Sequence, residues 1–158
     1  RLLIKFFISQ ANTGYLNGLA TEMGESTNSI RKELNHLYGA GYLVKIKNDN
    51  KVEYKVNSSH PLYNNLREVV LKHLGLIDLV DSVLERMGDV DKIILIGDYA
   101  RGIDSGNIEI FLTGKSLNTD YISNLEKKIK KLIGRQASFY LTSNYKNSKY
   151  SIVLYSKD

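Results

Sequence analysis

The 158 residues are enough for one domain or two small ones, and a 42% apolar content is ordinary for a chain that folds in water. The absence of cysteine excludes a disulfide framework and a thiolate metal site, and no apolar run approaches the roughly 20 residues that span a bilayer. With 22 Lys and Arg against 17 Asp and Glu, the net charge is +5; residues 1–75 carry 10 basic and 6 acidic side chains, so +4 of that excess lies in the first half.

Taken in chain order, Arg1 to Ser9 predicts an apolar helix, and Leu16 to Met23 predicts a second that ends at Gly24. The start at Arg1 rather than at a methionine is consistent with residues preceding it, and no signal peptide is visible. Ser26 or Thr27 is placed to cap a third helix, in which Ile30, Leu34 and Leu37 recur at helical spacing until Gly39-Ala40-Gly41. Burying that stripe turns Thr27, Asn28, Arg31, Lys32 and Asn35 outward. Tyr42 to Lys47 and Lys51 to Val56 then alternate with period two around Asn48-Asp49-Asn50, as an antiparallel hairpin does. The expected phase puts Val44, Ile46, Val52, Tyr54 and Val56 inward and Lys45, Lys47, Lys51 and Lys55 toward water or phosphate.

This order, from Leu19-Ala20 through Gly24-Glu25-Ser26-Thr27-Asn28-Ser29-Ile30-Arg31 to Ala40-Gly41-Tyr42-Leu43-Val44, resembles the winged helix-turn-helix of ArsR-like bacterial transcription regulators. The resemblance covers about the first half of the chain. It implies a homodimer on double-stranded DNA, often with a small-molecule effector, with the outward residues of the third helix reading bases and the hairpin lysines on phosphate or the minor groove. The metal-sensing branch uses cysteine and histidine ligands; His36, His60 and His73 are the only candidates here, and no metal or other cofactor is expected.

Residues 59–90 read as connecting or dimerisation helices. His60-Pro61 opens a run with Leu62, Leu66, Val69, Val70 and Leu74 on one face, Gly75 interrupts it, and Ile77, Val80, Val83, Leu84 and Met87 follow up to Gly88. From Asp91 the pattern becomes α/β. Lys92 to Ile96, Asn107 to Leu112, Ala137 to Leu141 and Tyr150 to Tyr155 predict strands. Between them a helix from about Thr119 to Leu132 turns Ile122, Leu125, Ile129, Leu132 and Ile133 inward and Lys127, Lys128, Lys130 and Lys131 outward, the lysines reading as a solvated face.

Gly97-Asp98-Tyr99-Ala100-Arg101-Gly102, followed by Ser105-Gly106-Asn107-Ile108-Glu109-Ile110, is similar to the active-site region of minimal nucleotidyltransferases. That family's two strand aspartates, one residue apart and on one face, hold magnesium against a nucleoside triphosphate. Here Asp98 replaces the motif serine, Asn107 the first metal carboxylate, and Glu109 keeps the second; residues 136–143 contain no acid to serve as the third. The expectation is a catalytically degenerate domain. Gly97 and Gly102 either let a strand turn into a helix or, with Asp98, Arg101 and Glu109, retain a nucleotide- or anion-binding pocket.

The sequence thus predicts an α+β chain: a winged helix-turn-helix at 1–58, connecting helices at 59–90 and a nucleotidyltransferase-like domain at 91–158. The expected function is cytoplasmic, sequence-specific transcription regulation without membrane association, against the alternatives of a nucleotidyltransferase or a protein-interaction module.

Overall fold

Apolar Leu2, Phe6, Phe7 and Ile8 recur along the first helix, α1 (Leu2–Ile8), and are buried. In this computed structural model, which describes residues 1–143, 145–146 and 148–158, the chain is α+β and divides into two compact units, Arg1–Val70 and Leu71–Asp158. In the first unit α1 is followed by β1 (Thr13–Tyr15), α2 (Leu16–Met23), α3 (Thr27–Gly39), β2 (Leu43–Asn48) and β3 (Lys51–Val56). The three strands form an antiparallel sheet in the order β1-β3-β2. Phe7 meets the Tyr42 ring edge-on at 6.0 Å and the Tyr63 ring at 5.8 Å, which builds the core around one aromatic side chain.

Both ends of α3 are closed by local chemistry. Ser26 Oγ accepts the Ser29 N–H at 3.1 Å. At the other end Gly41 takes φ 85°, its N–H donates to the Tyr38 carbonyl at 3.0 Å, and the Tyr42 N–H donates to that of Leu37 at 2.9 Å. That pair of bonds is a Schellman closure, which an L side chain at position 41 would strain.

The hairpin departs from the expected phase. Asn48 pairs with Lys51, so the turn is the two residues Asp49-Asn50 rather than three, and Val44 lies opposite Lys55, Lys45 opposite Tyr54, Ile46 opposite Glu53 and Lys47 opposite Val52. Because paired residues share a face, the one-residue shift puts Val44 and Ile46 on the opposite face from Val52, Tyr54 and Val56. Val44, Ile46 and Val52 are 37%, 40% and 38% exposed, not inward; Leu43 and Val56 are the buried pair.

The next helix, α4 (Tyr63–His73), begins two residues after Pro61 and crosses the boundary between the units. Its buried residues are Tyr63 and Val70, whereas Leu62 and Val69, expected on the apolar face, are exposed. A turn of helix advances 100° per residue, and Tyr63 with Val70 defines a stripe rotated from the one read through Leu62.

In the second unit Gly75, at φ 83°, opens α5 (Leu76–Arg86). A Cβ there would stand 2.6 Å from Ile133 Cγ2. Next come β4 (Gly88–Ile96), the single-turn α6 (Gly97–Ala100), β5 (Asn107–Leu117), a 3₁₀ turn (Thr119–Tyr121), α7 (Ile122–Ile133), β6 (Gln136–Leu141) and β7 (Ile152–Ser156). The strands order as β6-β5-β4-β7; β5 and β6 are parallel, joined through α7, and the other pairs are antiparallel. Ile93, Leu95, Ile108, Ile110, Leu112, Ala137 and Phe139 are buried on one face, where α5 and α7 pack together. Leu84 and Leu132, expected inward, are exposed: α5 buries Leu76, Leu79, Ser82 and Val83, and α7 centres its contact on Leu125 and Ile129. Among the described residues no helix is long and apolar enough to cross a membrane.

Candidate nucleic-acid interface

Thr27, Asn28, Arg31, Lys32 and Asn35 are all exposed on α3; Asn28, Arg31, Lys32 and Asn35 turn away from buried Ile30 and Leu34, whereas Thr27, seven residues before Leu34, lies on the same side as that stripe and is exposed in the first turn. Asn28, Arg31, Asn35 and Tyr38 follow one another at helical spacing and form a single stripe. Arg31 Nη1 donates to Asn28 Oδ1 at 2.7 Å, so one edge of the guanidinium is held against the helix and its remaining donors face out.

Tyr38, which the sequence reading left out, joins this stripe to the hairpin: Lys45 Nζ stands 4.1 Å from the Tyr38 ring centroid and 5.8 Å from that of Tyr54. A cation over an aromatic face is held without losing its charge. Lys45 and Lys47 share the hairpin face that carries Tyr54, continuous with α3. Lys51 and Lys55 share the other face. Lys51 lies 5.6 Å from the Tyr15 ring centroid, and Lys55 is half-buried opposite Thr13 of β1. The four hairpin lysines are therefore two pairs, and the register places only the first beside the α3 stripe.

The base of the hairpin is fixed by His60. Its ring stacks on Tyr42 at 4.1 Å between centroids, Nδ1 accepts the Leu62 N–H at 3.0 Å, and Nε2 lies 3.1 Å from the Ala40 carbonyl. Asn57 Nδ2 adds a bond to the Gly41 carbonyl at 2.8 Å. These contacts tie the exit of α3 to the segment after β3.

In the second unit, Gly97 at φ 72° turns β4 into α6, and the Glu109 carboxylate lies where a Gly97 Cβ would stand. The structure thus brings Gly97 and Glu109 together. Asp98 Oδ1 accepts from Arg101 Nη2 at 3.1 Å, an exposed ion pair within the turn. Gly102, at φ 79°, is buried at the end of the turn, and its N–H bonds the Tyr99 carbonyl at 3.0 Å. Asn107 Oδ1 accepts from Ser138 Oγ at 3.4 Å, and Glu109 Oε1 accepts from the Tyr140 hydroxyl at 3.4 Å. Among the described residues no three His, Cys, Asp or Glu side chains are grouped to share a metal ion.

The most constrained polar cluster was not read from the sequence. The fully buried Tyr99 side chain donates its hydroxyl to Asp104 and accepts the Gly106 N–H at 2.9 Å. Arg135 grips Asp104 with Nε at 3.0 Å and Nη2 at 2.8 Å, and its Nη1 donates to the Leu74 carbonyl at 3.4 Å. The Arg135 hydrogen bonds hold the Asp104 carboxyl below the usual range, while burial first and the bond to Asp104 second push the Tyr99 hydroxyl up. The fork pins the loop before β5 to the start of β6.

No protein-family model, curated protein or solved structure matches the chain.

Proposed function

We propose that the chain is a cytoplasmic, sequence-specific transcription regulator that binds double-stranded DNA as a homodimer. In this reading α2 and α3 are the helix-turn-helix, α3 lies in the major groove, and the β2–β3 hairpin is the wing. The carrying observation is the continuous surface made by Asn28, Arg31, Asn35 and Tyr38 of α3 with Lys45 and Lys47 of β2. It combines planar donors and amides suited to base edges with lysines suited to flanking phosphates, and it sits on a helix closed at both ends. A protein-binding face would have little use for that alternation of amide, guanidinium and ammonium groups.

The dimer is supported by α4 and the residue preceding it: Leu62, Leu66 and Val69 recur at helical spacing, and Leu62 and Val69 stay 48% and 61% exposed. Symmetric pairing of such helices suits paired half-sites. The second unit acts in this reading as a non-catalytic nucleotidyltransferase-like domain for effector sensing or assembly, since Asn107 is uncharged and bonded to Ser138 where a metal-binding carboxylate would be required.

Binding-site selection from a pool of random duplexes tests the reading. A defined base pattern, two-fold symmetric if the dimer binds as proposed, is the expected product; recovery of the unenriched pool would contradict it.

A further inference from the structure

A groove of about 490 Å³ runs along the second unit between α7 and the edge strand β6. Lys127, Lys130 and Lys131 line it from α7, joined by Ser123, Gln136 and Ser138. The fourth lysine of the helix, Lys128, points elsewhere, to Glu85 of α5 at 2.9 Å. Among the described residues no carboxylate lies within ion-pair distance of the three groove lysines, and the one acid in the lining, Glu126, already accepts the Phe139 N–H at 3.3 Å. Three ammonium groups against one carboxylate leave the groove at +2.

We infer that this groove binds the phosphate backbone of duplex DNA, as a second, sequence-independent contact in addition to the proposed recognition helix. The inference rests on the DNA-binding reading and extends it to the second unit. Lys127 and Lys131 are one turn apart, about 6 Å along the axis, with Lys130 between them, so their charges fall along a line rather than on a point. Lysine is a compact point charge suited to phosphate contacts without base readout, and the Ser123 hydroxyl, one turn before Lys127 on the same helix, suits a phosphate oxygen. An acidic peptide added as a strand on β6 would need the Phe139 N–H that Glu126 occupies. A bilayer surface would need the apolar face of α7, and Leu125 and Ile129 are fully buried in the unit's own core.

The test is a salt titration of random-sequence duplex binding by three forms of the full chain: the native protein, the Lys127→Gln/Lys130→Gln/Lys131→Gln variant, and an Arg31→Ala/Lys45→Gln/Lys47→Gln variant. Circular dichroism checks that the exposed substitutions leave the fold intact. The groove variant should bind every duplex more weakly and lose up to ~2.7 from the log–log salt slope, about 0.9 per phosphate contact, while keeping its base preference. An unchanged slope in the groove variant would overturn the inference and leave the recognition-helix reading standing. A steep slope lost only in the groove variant, with the α3 variant unaffected, would support the groove and overturn the α3 reading. No DNA binding by the native chain would overturn both. Displacement by poly-glutamate as strong as by duplex DNA would assign the groove to acidic polypeptides instead.

Discussion

Arg31 carries the most information per side chain in the proposed interface, because Asn28 fixes one edge of its guanidinium at 2.7 Å and leaves the rest of the fork outward. Arg31→Ala should lower affinity for the selected duplex by ~1 to 3 kcal/mol and relax preference at one base position, the loss of a bidentate contact to guanine. Repeating the selection with the variant checks it; the same affinity and pattern would remove Arg31 from the reading set. A second residue-scale prediction concerns Tyr99, whose Phe replacement deletes the acceptor of the Gly106 N–H and one donor to Asp104. Leaving that amide without its partner should cost about 1 to 3 kcal/mol in a denaturant titration. The Asp104 carboxyl is lowered by Arg135, so its pairing contributes stability above the unfolded carboxyl range near ~3.9 and loses it as pH falls through the lower folded value. Asp104→Asn should therefore lower the melting temperature at pH 7 and flatten its fall on acidification; equal acid limbs in native and variant chains would argue against this pairing.

At the scale of elements, the hairpin register divides the lysines, and the division has a measurable consequence. Neutralising Lys45 and Lys47 together should make the salt dependence of DNA binding shallower by ~1.8, two contacts at about 0.9 each. Neutralising Lys51 and Lys55, on the other face, should change it far less. Equal effects of the two pairs would mean the wing meets DNA edge-on rather than by the Tyr54 face. This division was not legible in the sequence, because a strand alternating valine or isoleucine with lysine reads equally well in either phase and the turn length alone chooses between them. By contrast α3 was legible almost throughout: Ser26, one of the two cap candidates, caps it, Ile30 and Leu34 of the expected stripe are buried while Leu37 is half-buried, and Gly41 closes it, all through local contacts. Three-residue β1 was missed for want of any period, and the meeting of Tyr38 with Lys45 and of Asp104 with Arg135 depends on tertiary packing between elements. The turn from strand into helix at Gly97 was one of the two readings open for it, but the seating of the Glu109 carboxylate over that glycine was not anticipated. Gly75 offers a test of packing at the same scale: Gly75→Ala adds a methyl against Ile133 at φ 83° and should destabilise the second unit by more than ~1 kcal/mol, whereas Gly18→Ala, with open space around it inside α2, should be neutral or stabilising.

At the scale of the whole molecule, both units carry a basic excess, +3 over residues 1–70 (9 basic, 6 acidic) and +2 over residues 71–158 (13 basic, 11 acidic). The second unit should release no pyrophosphate above background when the chain is incubated with nucleoside triphosphates and Mg²⁺ or Mn²⁺, because Asn107 and Glu109 supply only one charge between them. Robust release abolished by Glu109→Ala would make the enzyme reading the better one. Whether α3 reads base sequence is decided by titrating the full chain, at physiological salt, against its selected duplex and a scrambled duplex of equal length and composition. The selected site should bind at least ~10³-fold more tightly than the scrambled one, with both affinities falling as salt rises; equal dissociation constants for the two duplexes would rule out base readout by α3.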